Sequence, residues 1–227
     1  MSFLVVLCEG PTEMAFVGQL LAGHLLSYGT RCHPILLAKK IKHDVAEAPG
    51  GVLSYEPVYR HISAAMREHR AETSFVTTMF DFYAFPRDFP DFETYAKLAP
   101  TSRCVAALEE AMFNHLGRNE RFIPNVQLHE FEALLFARLE VLRDEFEDDR
   151  NALEGLDRLI ASVRGMAPEE IDETIQGAPS RRLSAHIPYR KTHMGPRVVK
   201  GIGLEHLRSA CPHFGDWLTK LERLSVT

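Results

Sequence analysis

Residues Leu4–Glu13 read Leu-Val-Val-Leu-Cys-Glu-Gly-Pro-Thr-Glu, and this stretch decides the fold. Its first five residues form a short apolar run of the kind that makes a buried strand. Glu9 and Glu13 then sit four apart around Gly10-Pro11, and a helical pattern starts at once: Met14, Val17, Leu21 and Leu25 recur at helical spacing. Thr12 is a candidate N-cap, and Glu13 suits the positive end of a helix dipole. Strand, tight turn and helix together place acidic side chains at the carboxyl end of a strand. Open α/β sheets bind their ligands at that end.

The pattern repeats along the first 140 residues. Cys32–Ala38 and Ser74–Asp81 read as strands, and Arg121–Gln127 as a fourth. Helical patterns cover Thr12–Ser27, Val58–Arg70 and Ser102–Leu116, and His129–Arg138 opens another helix. The stretch 39–57, with Lys39, Lys40, Lys42, His43 and Pro49-Gly50-Gly51, reads as a loop; 83–100, with three prolines, reads as an irregular excursion. Alternating strands and helices predict right-handed crossovers and a mainly parallel four-stranded sheet flanked by helices. After residue 139 the strand signal stops. Helices are expected at Arg150–Arg164, Pro168–Gln176, Ser180–His186, Val198–Arg208 and Phe214–Leu224. The expected organisation is an α/β core over 1–140 and a helical C-terminal third over 141–227, packed on it.

Bulk properties narrow the class. The chain has 227 residues, 45% hydrophobic and 25% charged, as expected of a globular protein with a full core. No apolar run approaches the ~20 residues of a membrane helix, and Phe3–Cys8 lacks the length and basic start of a signal peptide. This predicts a cytoplasmic protein without a membrane partner. Cys8, Cys32, Cys104 and Cys211 are widely spaced, so neither a zinc site nor a disulfide framework is expected. The net charge of -5 conceals an asymmetry: Thr174–Leu204 contains no Asp or Glu but carries Arg181, Arg182, Arg190, Lys191, Arg197 and Lys200. Such a stretch reads as an anion-binding surface, or as a solvated helix pair balanced by acids such as those of Glu145–Asp149.

The acids at strand ends carry the chemistry. Strand one ends at Glu9 with Glu13 one helical turn on; strand three ends at Asp81; strand four ends just before His129-Glu130-Phe131-Glu132. A strand-end Asp alone is a common turn former, but a parallel sheet brings these ends to one edge. Converging carboxylates repel and raise each other's pKa unless a cation joins them. Mg²⁺ takes hard oxygen donors, few carboxylates and several waters, and supports phosphate cleavage. Glu130 and Glu132 cannot both face one cleft from a regular helix, whereas His129 and Glu132 share a face at i, i+3. Glu130 and Glu132 are therefore alternative ligands, with His129 a phosphate contact or a capping histidine. Gly10 is expected to allow close approach and positive φ. Phe82, Tyr83 and Phe85 offer stacking faces or form a local apolar cluster. P-loop, Gly-x-Gly-x-x-Gly and Gly-x-Ser-x-Gly signatures are absent. His129-Glu130 does not continue to a zinc motif, because position 133 is Ala.

Glu-Gly-Pro-Thr-Glu after an apolar strand, followed by an apolar strand closing on Asp81, resembles a TOPRIM domain. Such domains occur in topoisomerases, primases and nucleases of the overcoming-lysogenization-defect type. More closely, the chain is similar to a bacterial TOPRIM-like family with Cys/Val-Glu-Gly-x-Thr-Glu, Asp-Phe-Tyr and His-x-Phe-Glu-Ala motifs. They match Cys8–Glu13, Asp81-Phe82-Tyr83 and His129–Ala133; Ile202–Arg208 and Cys211–Phe214 also fit. The wider likeness spans about residues 1–140, the closer one most of the chain. The resemblance implies a TOPRIM-like (Rossmann-like) core. It gives Glu9 the place of the metal-binding or acid–base glutamate and Asp81 the first place of an Asp-x-Asp pair. Tyr83 stands where the second acid belongs, so Glu130 or Glu132 supplies that oxygen or the site is weakened.

The expected function is a Mg²⁺- or Mn²⁺-dependent nuclease acting on DNA or RNA. Glu9, Asp81 and Glu13 would act at the site, with metal held by Glu9, Asp81 and Glu130 or Glu132. His129, Lys191, Arg197 and Lys200 would contact the substrate. The resemblance further implies a separately encoded ATPase of the ABC or AAA type and a role in phage defence. Two alternatives stand beside it: a degenerate, non-catalytic regulatory or scaffold subunit of such a complex, and a metal-dependent phosphotransfer or nucleotide-binding domain acting on a small substrate.

Overall fold

A computed structural model describes residues 1–37, 54–171 and 177–225. Most of the loop expected over 39–57, with its lysines and Pro49-Gly50-Gly51, and the end of the helix expected at Pro168–Gln176 lie outside the described residues.

The chain is α/β, and its parallel sheet is confirmed. Strands β1 (Ser2–Cys8), β2 (Thr30–Leu36), β3 (Ser74–Asp81), β4 (Phe122–Ile123) and β5 (Val126–Gln127) are all parallel to their neighbours. The order is β2-β1-β3-β4, and β5 also pairs with β3. Central β1 is fully apolar: Leu4, Val5, Val6 and Leu7 are all buried, as a parallel strand covered on both faces requires. Outer β2 is different. Arg31, His33 and Leu36 are exposed, and Pro34, which cannot donate to a ladder, is tolerated there.

The single fourth strand expected over Arg121–Gln127 is two short ones. Pro124 has no N–H, so the ladder cannot run through it. Two threonines of β3 bridge the gap. Thr77 Oγ1 donates to the Ile123 carbonyl at 2.6 Å. Thr78 Oγ1 donates to the Asn125 carbonyl at 2.8 Å and accepts the Asn125 N–H at 2.9 Å.

The first helix begins one residue earlier than expected. Helix α1 (Pro11–Phe16) passes through a π-helical turn (Val17–Leu21) into α2 (Ala22–Ser27). Then come α3 (Tyr55–Glu68), the short α4 (Phe92–Tyr95) and α5 (Thr101–His115). Further on are α6 (Arg150–Ser162), α7 (Pro179–His186), α8 (Lys191–Ile202), α9 (Leu204–Ala210) and α10 (Pro212–Glu222). The helix expected at Val198–Arg208 is thus two, because Gly203 at φ 83° ends α8. No helix among the described residues is long and apolar enough to cross a membrane.

The chain divides into two compact units, Met1–Gln127 with Lys220–Thr227, and Leu128–Thr219. The division falls at 127/128, where the sequence placed it near 140, and the last eight residues belong with the α/β unit. There His24 Nε2 meets Glu222 Oε1 at 2.6 Å, and Ser2 Oγ donates to the Leu224 carbonyl at 2.7 Å. The second unit is built around Phe131–Ala137, a 3₁₀ segment in which Phe131–Phe136 are all buried. Helices α7, α8 and α9 pack on it.

Candidate functional site

The α/β unit brings Glu9, Glu13 and Asp81 to the carboxyl ends of β1 and β3. The register pairs Cys8 with Met79, so Glu9 and Asp81 leave adjacent strands almost side by side. The Glu9 N–H donates to the Met79 carbonyl at 3.3 Å, and Glu9 Oε2 accepts the Asp81 N–H at 3.1 Å. One carboxylate is therefore fixed on the backbone of the other acid. Asp81 is 6% exposed.

The turn that follows works differently from the sequence expectation. Gly10 has φ −139° and ψ 174°, an extended conformation open to any residue. It is small for another reason: a Cβ there would stand 2.8 Å from Glu13 Oε2, so the missing side chain leaves room for the folded-back carboxylate. Gly10, not Thr12, is the N-cap, with Pro11 at the first helical position, where its missing N–H costs nothing. Thr12 is buried instead, and its hydroxyl has no hydrogen-bond partner among the described residues. Glu13 is 3% exposed in the first helical turn and forms no ion pair with the described residues. Its charge is felt by Cys8: burial pushes that thiol far above its ordinary range, and Glu13 adds to the rise.

Tyr83, in the place of the second acid, lies in the 3₁₀ turn Phe82–Ala84 directly after Asp81. Phe82 and Tyr83 are half-buried with ring centroids 6.3 Å apart. Phe85 does not share this exposure. It is buried against Phe89 and Phe92, with centroids 5.4 and 6.2 Å away, and belongs to the local apolar cluster.

The remaining expected residues belong to the second unit. His129 is buried at φ 63°, and its Nε2 lies 3.1 Å from the Glu169 carbonyl oxygen. Glu130 is extended, and Phe131–Ala137 is 3₁₀ rather than α. The helical-face argument for His129 and Glu132 therefore fails, because the regular helix it needs starts at neither residue. Glu130 Oε2 accepts the Ser180 N–H at 3.0 Å near the start of α7. Glu132 is fully buried, and both oxygens are engaged: Oε1 accepts from the Tyr189 hydroxyl at 3.1 Å, Oε2 from Lys191 Nζ at 2.9 Å. Burial raises the Glu132 carboxyl above its ordinary pKa, the Lys191 charge opposes the rise, and Glu130 adds to it.

Two expected substrate contacts thus hold acids of this chain. Lys191 holds Glu132, and Arg197 Nη2 pairs with Glu145 Oε1 at 3.2 Å. Lys200 is exposed. The partnership of Tyr189 with Glu132 left no signal in the sequence, since 57 positions separate them.

Among the described residues, no group of three or more His, Cys, Asp or Glu side chains is arranged to hold a metal ion. Mg²⁺ needs less, one or two carboxylates completed by water and substrate phosphate. Glu9 and Asp81, hard oxygen donors on adjacent strand ends, fit that requirement.

No curated protein and no solved structure matches the chain. One family model does, over residues 8–222, described as a domain of unknown function. That span runs from the end of β1 through α10, so the protein belongs to the DUF4276 family.

Proposed function

We propose that this protein is a Mg²⁺- or Mn²⁺-dependent phosphodiesterase of TOPRIM type, a nuclease acting on DNA or RNA. The observation that carries the reading is the pairing of Glu9 with Asp81 where β1 and β3 end. A metal there would polarise a phosphoryl oxygen and lower the pKa of an attacking water. Glu9 and Asp81 would hold it, and the Asp81 N–H fixes the orientation of Glu9. Glu13, buried and kept in place by the gap at Gly10, adds a further carboxyl group in the first turn of α1. In keeping with the sequence resemblance, the protein would act in the cytoplasm beside a separately encoded ABC- or AAA-type ATPase, in defence against phage.

A second reading is a degenerate module with a regulatory or scaffold role. It is favoured by Tyr83 in the place of the second acid and by the engagement of Glu132 with Lys191.

The two separate in one set of measurements. The nuclease reading expects Mg²⁺ or Mn²⁺ to raise the melting temperature of the wild type but not of Glu9→Ala, and cleavage of plasmid or tRNA to require both metal and Glu9. Gly10→Ala should retain the fold but lose the metal-induced rise, because its Cβ displaces the Glu13 carboxylate. A metal-dependent rise without cleavage of any nucleic acid supports the scaffold reading. Equal melting with and without metal removes the nuclease.

A further inference from the structure

Helix α8 carries a charge pattern that its own fold does not explain. Its buried side is formed by Met194, Val198, Val199 and Ile202. On the opposite side, His193, Arg197 and Lys200 are exposed at i, i+4 and i+7. At ~100° per residue they fall within an arc of about 60°, in a line roughly 10 Å long. Arg190, also exposed, immediately precedes the helix. The other exposed positions of the helix, Thr192 and Gly201, are neither acidic nor large and apolar.

This arrangement works against the helix. Arg197 and Lys200, like charges three apart, repel. The first turn of α8 contains no acid, so Arg190 and Lys191 stand at the positive end of the helix dipole. Compensation within the fold is limited. Arg197 has Glu145 and Lys191 has Glu132, but Arg190, His193 and Lys200 form no ion pair among the described residues. The surrounding Thr174–Leu204 stretch has no acid of its own to offer. A chain with a net charge of -5 has nonetheless kept this face positive.

We infer that the exposed face of α8 is a docking surface for the phosphate backbone of a nucleic acid, with Arg190, His193 and Lys200 as its contacts. Charge complementarity selects the ligand: a row of basic side chains along one helix face suits a line of phosphates. A lipid surface is disfavoured, because interfacial helices need large apolar side chains beside their cations and this face has none. The inference takes its ligand class from the proposed nuclease reading but does not depend on cleavage. It also revises the sequence expectation for this segment, replacing Lys191 and Arg197, which hold Glu132 and Glu145, by Arg190 and His193 as the groups that meet the polymer.

The test is binding in EDTA, where cleavage plays no part. The full chain is titrated against labelled duplex DNA, single-stranded DNA and single-stranded RNA, whose relative affinities identify the polymer. At about 50 mM salt, Arg190→Glu/Lys200→Glu should bind about tenfold or more weakly than wild type, with a log–log salt slope shallower by about 2. Arg190→Lys/Lys200→Arg should bind like wild type, which ties the effect to the charges of this face. If the charge reversal fails to fold, Arg190→Gln/Lys200→Gln gives the same comparison without added repulsion. Wild-type affinity in the variants that remove these charges overturns the proposal. So does failure of the wild type to bind any of the three polymers, or binding to phosphatidylserine vesicles in their place.

Discussion

Glu132 is the residue whose surroundings have the clearest consequence. It is fully buried and touches one cation, Lys191, whose side chain is 42% exposed. Burial outweighs that cation and raises the carboxyl pKa. The native state therefore holds a proton at a pH where the unfolded chain has released it. Stability should fall as pH rises from the ordinary glutamate range through the raised native value. Glu169 contributes in the same direction, since burial also raises its pKa against the Phe214 and His213 amides that bond it. Glu132→Gln, neutral throughout and still able to accept from Tyr189, should flatten much of this dependence. Urea unfolding at a series of pH values from 4 to 7 checks it; an unchanged profile would mean that Glu132 stays ionised. Lys191→Ala should steepen the fall and cost about 1–2 kcal/mol at neutral pH. This is less than the loss of a fully buried partner, because solvent already screens Lys191.

Helix packing turns on a single hydrogen atom at Gly155. A Cβ added to this residue of α6 would lie 2.0 Å from the His186 carbonyl oxygen and 3.0 Å from its carbon, both backbone atoms at the end of α7. Gly155→Ala should therefore destabilise by about 1–3 kcal/mol, although Ala is the better helix former. Gly23 in α2 is the contrast. Nothing stands within 4 Å of its Cβ position, so Gly23→Ala should stabilise by about 0.5–1 kcal/mol. Opposite shifts of the urea midpoint check the pair. Most helices are legible in the sequence to within a few residues, because the spacing of apolar residues records which side is buried. The segment after β5 is not. Phe131, Leu134 and Leu135 have helical spacing, yet Phe131–Ala137 is 3₁₀. Periodicity marks burial, and this segment is buried on every side, so the spacing carries no information about the winding of its backbone.

For the whole molecule, the return of the last residues to the first unit is the least local feature. Leu221 and Leu224 are buried, Glu222 meets His24, and the Leu224 carbonyl accepts from Ser2 Oγ. Removing residues 220–227 should destabilise the α/β unit by several kcal/mol, as each lost leucine contributes about 1.5–3 kcal/mol. Thermal unfolding of the truncated chain checks this, and a melting temperature equal to that of the full chain would refute it. The sequence by itself determined the parallel sheet, because short strand runs alternate with amphipathic helices, and a central run as apolar as Leu4–Cys8 is buried only when helices cover both faces. It also determined that Glu9 and Asp81 end such strands, since a strand-end position follows from chain order alone. Only the tertiary structure decided which charges meet: Glu132 with Lys191 and Arg197 with Glu145. The physical reason is range. Secondary structure is written in neighbours a few residues apart, whereas the partner of a buried charge is fixed by packing between segments that the sequence leaves far from one another.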